Sequence, residues 1–164
     1  MKNPKKVIFL CTGNICRSPM GEALLKHAIG GLPKDNPLRN LEIVSAGTSA
    51  IDGMPPSPNS VKALEKVGID ISSHRSSALT QELIDDCFAL FAMDKGHLQA
   101  VKSYYKNYPK RSMTVLQCIP HSHETDIPDP YGCDMIEYLE VRDDIIGAIP
   151  HIIKYLENEL KKNS

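Results

Sequence analysis

The sequence has no apolar run approaching the roughly 20 residues needed to cross a bilayer. It has no charge imbalance either. Nineteen basic residues face twenty acidic ones, for a formal net charge of -1, so nothing points to nucleic acid as a partner. Five cysteines, an odd number with no Cys-x-x-Cys spacing, argue against a disulfide framework and a zinc knuckle. The first six residues are basic, but only Val7 to Leu10 follow them as an apolar run, too short for a signal-peptide core. These absences imply a cytoplasmic protein whose cysteines are buried fillers or reactive thiols. What remains is ordinary for a globular chain: 164 residues, 41% hydrophobic and 24% charged. That length fits a single domain over 1–164, able to bury a core without staples.

Strand-like runs alternate with helical patterns. Val7 to Leu10, Leu41 to Ser45, Phe88 to Ala92 and Met113 to Leu116 read as strands. Met20, Ala23, Leu24, His27 and Ala28 recur at helical spacing ahead of Gly30-Gly31. Val61, Leu64 and Val67 line a helix expected to stop at Gly68. Ile145, Ile149, Ile152, Leu156 and Leu160 form one stripe of a C-terminal helix, in which Pro150 should start a new turn or kink. This order predicts an α/β fold: an open, four-stranded, mostly parallel sheet with helices on both faces. Ligands in such folds bind beyond the carboxyl ends of the strands.

The first strand ends in Cys11-Thr12-Gly13-Asn14-Ile15-Cys16-Arg17-Ser18-Pro19. Ser18 is expected to cap the following helix, with Pro19 at its first position. A loop wrapped around a helix N-terminus points backbone N–H groups into one concavity, which suits a phosphate dianion. Gly13 and Asn14 tolerate the left-handed backbone such a wrap needs. The planar fork of Arg17 matches two phosphate oxygens. The same field favours a thiolate at Cys11, a nucleophile poised beneath phosphorus. The Gly-x-x-x-x-Gly-Lys pattern of ATP-type loops is absent.

This loop resembles that of the low-molecular-weight protein tyrosine phosphatases, and the resemblance spans nearly the whole chain. Ser45-Ala46-Gly47-Thr48, Gly68-Ile69-Asp70 through His74-Arg75, Ala92-Met93-Asp94 and Pro128-Asp129-Pro130-Tyr131-Gly132 match further motifs of that family in order. The resemblance implies hydrolysis of phosphotyrosine in proteins through a phosphocysteine on Cys11. Arg17 and Thr12, Gly13, Asn14, Ile15, Cys16 and Ser18 would hold the phosphate. Asp129 would serve as general acid and then base, although Asp-Pro alone reads as a plain turn. Asn14, Ser18 and Ser45 would brace the loop. His74 and Asp94 are expected to form a buried scaffolding pair, and Tyr131 to wall the substrate ring.

Gly132 and Ile51 stand where many members carry bulkier aromatic residues, which bears on substrate preference. Arginine-phosphatase relatives carry Thr at the position of Ile15, so this chain is expected to prefer phosphotyrosine. The resemblance also supports a protective role for Cys16 when Cys11 is oxidised. Phosphocysteine chemistry needs no cofactor or metal. His121, His123, Glu124 and Asp126 therefore read as a polar loop, and Cys87, Cys118 and Cys133 as packing residues. Two other activities share parts of this pattern. A thioredoxin-coupled arsenate reductase would need two relay cysteines, and a phosphocarrier module of a sugar-transport system would not need Asp129.

Overall fold

The structure, a computed structural model, describes residues 4–163. Four parallel strands form one sheet in the order β2-β1-β3-β4. They are β1 (Lys6–Cys11), β2 (Glu42–Gly47), β3 (Cys87–Ala92) and β4 (Ser112–Thr114). The helices are α1 (Arg17–Gly30), α2 (Pro58–Glu65), α3 (Gln81–Asp85), α4 (Lys95–Tyr104) and α5 (Met135–Lys162). Strand β1 is apolar and buried from Val7 to Cys11 because both of its faces are covered. Val7, Phe9 and Cys11 join the larger core with α1, α2 and α5, while Ile8 and Leu10 join a second core with Ile84 of α3 and Val101 of α4. The sheet therefore has helices on both faces, as expected from the pattern.

β2 lies on one side of β1 and β3 on the other. The chain thus leaves β1 at a topological switch point, where crossovers diverge and leave a crevice. The loop after Cys11 fills that crevice. Gly21 lets α1 settle onto β1, since a Cβ there would lie 2.5 Å from the Phe9 ring.

Several local expectations are corrected. Helix α1 begins at Arg17 with Cys16 at its N-cap. Ser18 and Pro19 are thus its second and third residues, and the Ser18 hydroxyl serves the site instead of a cap. Helix α2 ends at Glu65, which leaves Val67 in the following turn, 39% exposed. Leu116 lies in a 3-10 turn beyond β4. Helix α5 runs unbroken for 28 residues with Pro150 inside it, so of the two expected outcomes no new helix starts there. Packing of Ile145, Ala148, Ile149, Ile152 and Leu156 into the core outweighs the missing N–H.

Candidate active site

Cys11 ends β1 and is 2% exposed. Its Sγ accepts the Asn14 N–H at 3.3 Å and lies 2.9 Å from Ser18 Oγ. Asn14 is the loop residue in the left-handed region, at φ 56, while Gly13 is not. That turn buries the Asn14 side chain, whose Nδ2 donates to Ser18 Oγ at 2.7 Å and Ser45 Oγ at 2.9 Å. Ser45 in turn donates to Glu22 Oε1 at 2.7 Å. This chain has a fixed sense. With Ser18 Oγ accepting from Asn14, its own proton has two acceptors, the Cys11 sulfur at 2.9 Å and the Ala46 carbonyl at 3.4 Å; the shorter contact is to sulfur, and donation there stabilises a thiolate.

Arg17 is 3% exposed, and its guanidinium is held from several sides. Nη1 donates to Asp94 Oδ2 at 3.2 Å and to the Ile127 carbonyl at 2.9 Å. Nη2 lies 3.5 Å from Thr12 Oγ1 and 3.7 Å from Asp129 Oδ2. Nε is buried and has no partner among the described residues. The backbone N–H groups of Gly13, Ile15 and Cys16 likewise donate to nothing among the described residues. A buried donor such as Nε is seldom left unmade in a folded protein, and with unpaired amides beside it in the same loop it marks the place of an anion. Cys11, Thr12, Gly13, Ile15, Cys16, Arg17, Asp129 and Tyr131 line a single pocket there.

Asp129 reaches this pocket from the segment ahead of α5. Its Oδ1 accepts the Tyr131 N–H at 3.1 Å, and its carboxylate is half exposed. Two bonds anchor the segment. The Ile127 N–H donates to the Met93 carbonyl at 2.9 Å, and Asp126 Oδ1 accepts the Lys95 N–H at 3.0 Å. Tyr131, 69% exposed, and Ile15 both line this pocket.

The model of the family described as low molecular weight phosphotyrosine protein phosphatase matches residues 6–163. The chain belongs to this family. Among its relatives is the protein-arginine-phosphatase of Bacillus subtilis, 33% identical over 157 residues, which cover 96% of this chain and 97% of that one. A probable low molecular weight protein-tyrosine-phosphatase, EpsP of Ralstonia nicotianae, is 32% identical over 136 residues, covering 83% of this chain and 85% of its own. Solved relatives include the YwlE arginine phosphatase as a mutant with a phosphorylated active-site serine. It matches with a TM-score of 0.81 at 33% identity, covering 92% of this chain and 95% of that chain. Vibrio vulnificus Wzb in complex with benzylphosphonate matches with a TM-score of 0.79 at 27% identity, over 93% of this chain and 99% of that chain.

The expected pairing of His74 with Asp94 does not occur in this phosphatase. His74 Nε2 lies 2.8 Å from the Asn14 carbonyl and so props the loop from outside. Asp94 instead binds Arg17 and caps α4 by accepting the His97 N–H at 3.1 Å. Two contributors carried no motif in the sequence. His97 reaches Thr12, and Glu22 ends the hydrogen-bond chain from Cys11. The spacing Ser18 to Glu22, one helical turn, is the signal that placed Glu22 above the loop. Cys16 is also tied down, with its thiol 3.3 Å from Ser57 Oγ and 3.5 Å from Tyr138 Oη. Burial pushes its pKa up, against the pull of those two hydroxyls, so it stays a thiol. Cys87 pairs in register with Lys6 at the far end of β1, about 16 Å from Cys11 at ~3.3 Å per residue. Its thiol is pushed up to about 12 by burial, so it is neither placed nor ionised for a relay.

Gly47 ends β2 against the loop. A Cβ there would lie 2.5 Å from the Thr12 carbonyl and 3.0 Å from the Asn14 backbone nitrogen. Neither backbone atom can yield without displacing Asn14. Gly47→Ala is therefore expected to cost about 1–3 kcal/mol of stability and at least roughly tenfold in kcat/KM, because loop geometry sets the rate. Urea unfolding and steady-state kinetics check both. Wild-type kinetics in this variant would mean that the loop tolerates displacement.

Proposed function

We propose that this protein hydrolyses phosphotyrosine monoesters of protein substrates in two steps, without a cofactor. The carrying observation is the partnerless Arg17 Nε beside the unpaired amides of Gly13, Ile15 and Cys16, all around the Cys11 sulfur. Those donors fit the equatorial oxygens of a phosphoryl group. Cys11 Sγ attacks phosphorus in line, and the bond from phosphorus to the phenolic oxygen breaks. Asp129, protonated, gives its proton to that oxygen. Water then attacks the phosphocysteine, and Asp129 accepts its proton as the sulfur leaves. Arg17 and the loop amides hold the oxygens throughout. The phosphorylated serine in the YwlE mutant supports a covalent intermediate on the corresponding loop.

The general-acid role makes a distinct prediction. Asp129→Asn cannot donate an acidic proton, so turnover should fall about 10²–10⁴-fold for poor leaving groups. The loss should shrink as the phenol becomes more acidic, because such a phenolate departs unassisted. A series of aryl phosphates measures this. Equal losses across the series would remove Asp129 from the role.

Tyrosine is favoured over arginine by the walls of the pocket. Ile15 offers no hydrogen bond to a guanidinium and can pack on a ring, as can Tyr131, which lines the same pocket. A long phenolic side chain also reaches a buried Cys11 that phosphoserine would not. The arginine-phosphatase relatives make phosphoarginine the sharpest competitor. Catalytic efficiency on matched phosphotyrosine and phosphoarginine peptides should favour the former, and Ile15→Thr should move the ratio toward the latter. A preference for phosphoarginine in the wild type would overturn the assignment. Neither arsenate reduction nor phosphocarrier transfer is favoured by the relatives. All five cysteines are free, which suits the reducing cytoplasm in which we place the protein.

A further inference from the structure

Thr12 opens onto the same pocket as Cys11 and Arg17. Its hydroxyl oxygen lies 2.9 Å from His97 Nε2 and 3.5 Å from Arg17 Nη2. The arginine can only donate. The role of His97 depends on its tautomer, and the backbone around it decides which one forms. Its Nδ1 is 3.2 Å from the Asp94 N–H and 3.2 Å from Asp94 Oδ1. A proton on Nδ1 would leave that backbone N–H facing another donor. The Asp94 carboxylate has no such need, since Oδ1 already accepts the His97 N–H at 3.1 Å and Oδ2 accepts Arg17 at 3.2 Å. The neutral ring therefore accepts at Nδ1 and carries its proton on Nε2, aimed at Thr12. His97 is 4% exposed. Burial holds its pKa below the ordinary value, helped by Arg17 and opposed by Asp94, Asp129 and Asp126.

We propose that His97 is a positioning residue: by donating to Thr12 Oγ1 it turns the Thr12 hydroxyl proton into the pocket, toward the transferred phosphoryl group. Both partners of Thr12 Oγ1 are then donors, so the hydroxyl hydrogen is left for a third acceptor. In the pocket, which the Asp129 carboxylate also lines, a bound phosphoryl group supplies that acceptor. Thr12 becomes a side-chain donor beside the loop amides and Arg17, and charge spread over the equatorial oxygens makes each such donor count. The inference rests on the phosphoryl-transfer reading of this pocket. It concerns only the phosphoryl oxygens, so it is indifferent to whether tyrosine or arginine carries them.

Two measurements test it with inorganic phosphate as the probe. A long-range ¹H–¹⁵N spectrum of the histidine rings at neutral pH should show His97 protonated on Nε2, and protonation on Nδ1 would overturn the proposal without any variant. In competitive inhibition by phosphate, Thr12→Val should weaken binding about tenfold, the effect of one hydrogen bond to a charged group, while Thr12→Ser stays within about twofold. His97→Leu should mimic Thr12→Val, and His97→Gln, whose amide can still donate, should recover most of the loss. The double variant Thr12→Val/His97→Leu should be no worse than Thr12→Val. Additive losses in the double variant, or unchanged phosphate affinity in Thr12→Val, would reduce the contact to a strut. A failed preference for phosphotyrosine alongside intact phosphate results would overturn only the substrate assignment.

Discussion

Cys11→Ser is expected to fold, to bind phosphate and to lose at least about 10⁴-fold in turnover, the scale on which removal of a covalent nucleophile acts. The substitution is nearly isosteric, and nothing in the surrounding packing depends on sulfur. Asn14 N–H and Ser18 Oγ, at 3.3 and 2.9 Å from Sγ, can meet a hydroxyl as readily. What changes is the attacking atom: a serine hydroxyl is a far weaker nucleophile than a cysteine sulfur and needs a base to take its proton. The pocket also supplies no base to take a serine proton during attack, because the carboxylate near it, Asp129, is needed as an acid in that step. Phosphate binding by calorimetry, with kinetics on the same preparation, separates the two effects. Full activity in the variant would remove the phosphocysteine mechanism, and loss of phosphate binding would show that the thiolate itself organises the loop.

Much of this site was legible because its chemistry is local. Cys11 through Ser18 is one contiguous turn, and the strand before it and the helix after it each carry a clear period. The fold followed from the same alternation, down to the strand carrying the loop. The misread parts depend on contacts between distant segments. His74 and Asp94 each look like a partner for the other, but the Asn14 carbonyl and the Arg17 guanidinium claim them instead. Ser18 has the chemistry of a cap, yet tertiary demand places it as the donor to sulfur while Cys16 takes the cap position. His97 was silent because its function needs Thr12, 85 residues away. Pro150 was read by local rule as a new turn or a kink, and the packing of α5 carries the helix through it without a new start.

Arg17→Lys should lose about 10³-fold or more in kcat/KM, the range seen when an arginine that neutralises a transferring phosphoryl group is removed. The charge survives this substitution, so the prediction isolates geometry. The guanidinium does three things at once here. Nη1 is spent on Asp94 and the Ile127 carbonyl, at 3.2 and 2.9 Å, and these bonds fix the plane of the group. Fixing the plane leaves Nε, which has no partner among the described residues, beside the pocket that Arg17 lines. Nη2 stays beside Thr12 and Asp129. An ammonium offers one centre in place of three. If it satisfies Asp94 and the Ile127 carbonyl it cannot grip phosphate, and if it turns to phosphate it leaves Asp94 and the Ile127 carbonyl without their donor. Asp94 and Asp129 are 28% and 50% exposed, so water can take over their hydration and the fold should survive. The loss should therefore appear in phosphate affinity and in turnover together, with circular dichroism unchanged. Asp94→Asn supplies the contrast: it keeps the fork and an acceptor for Nη1, and should cost far less. Arg17→Lys within about tenfold of wild type would mean that a point charge suffices and that the unpaired Nε does not mark the phosphate.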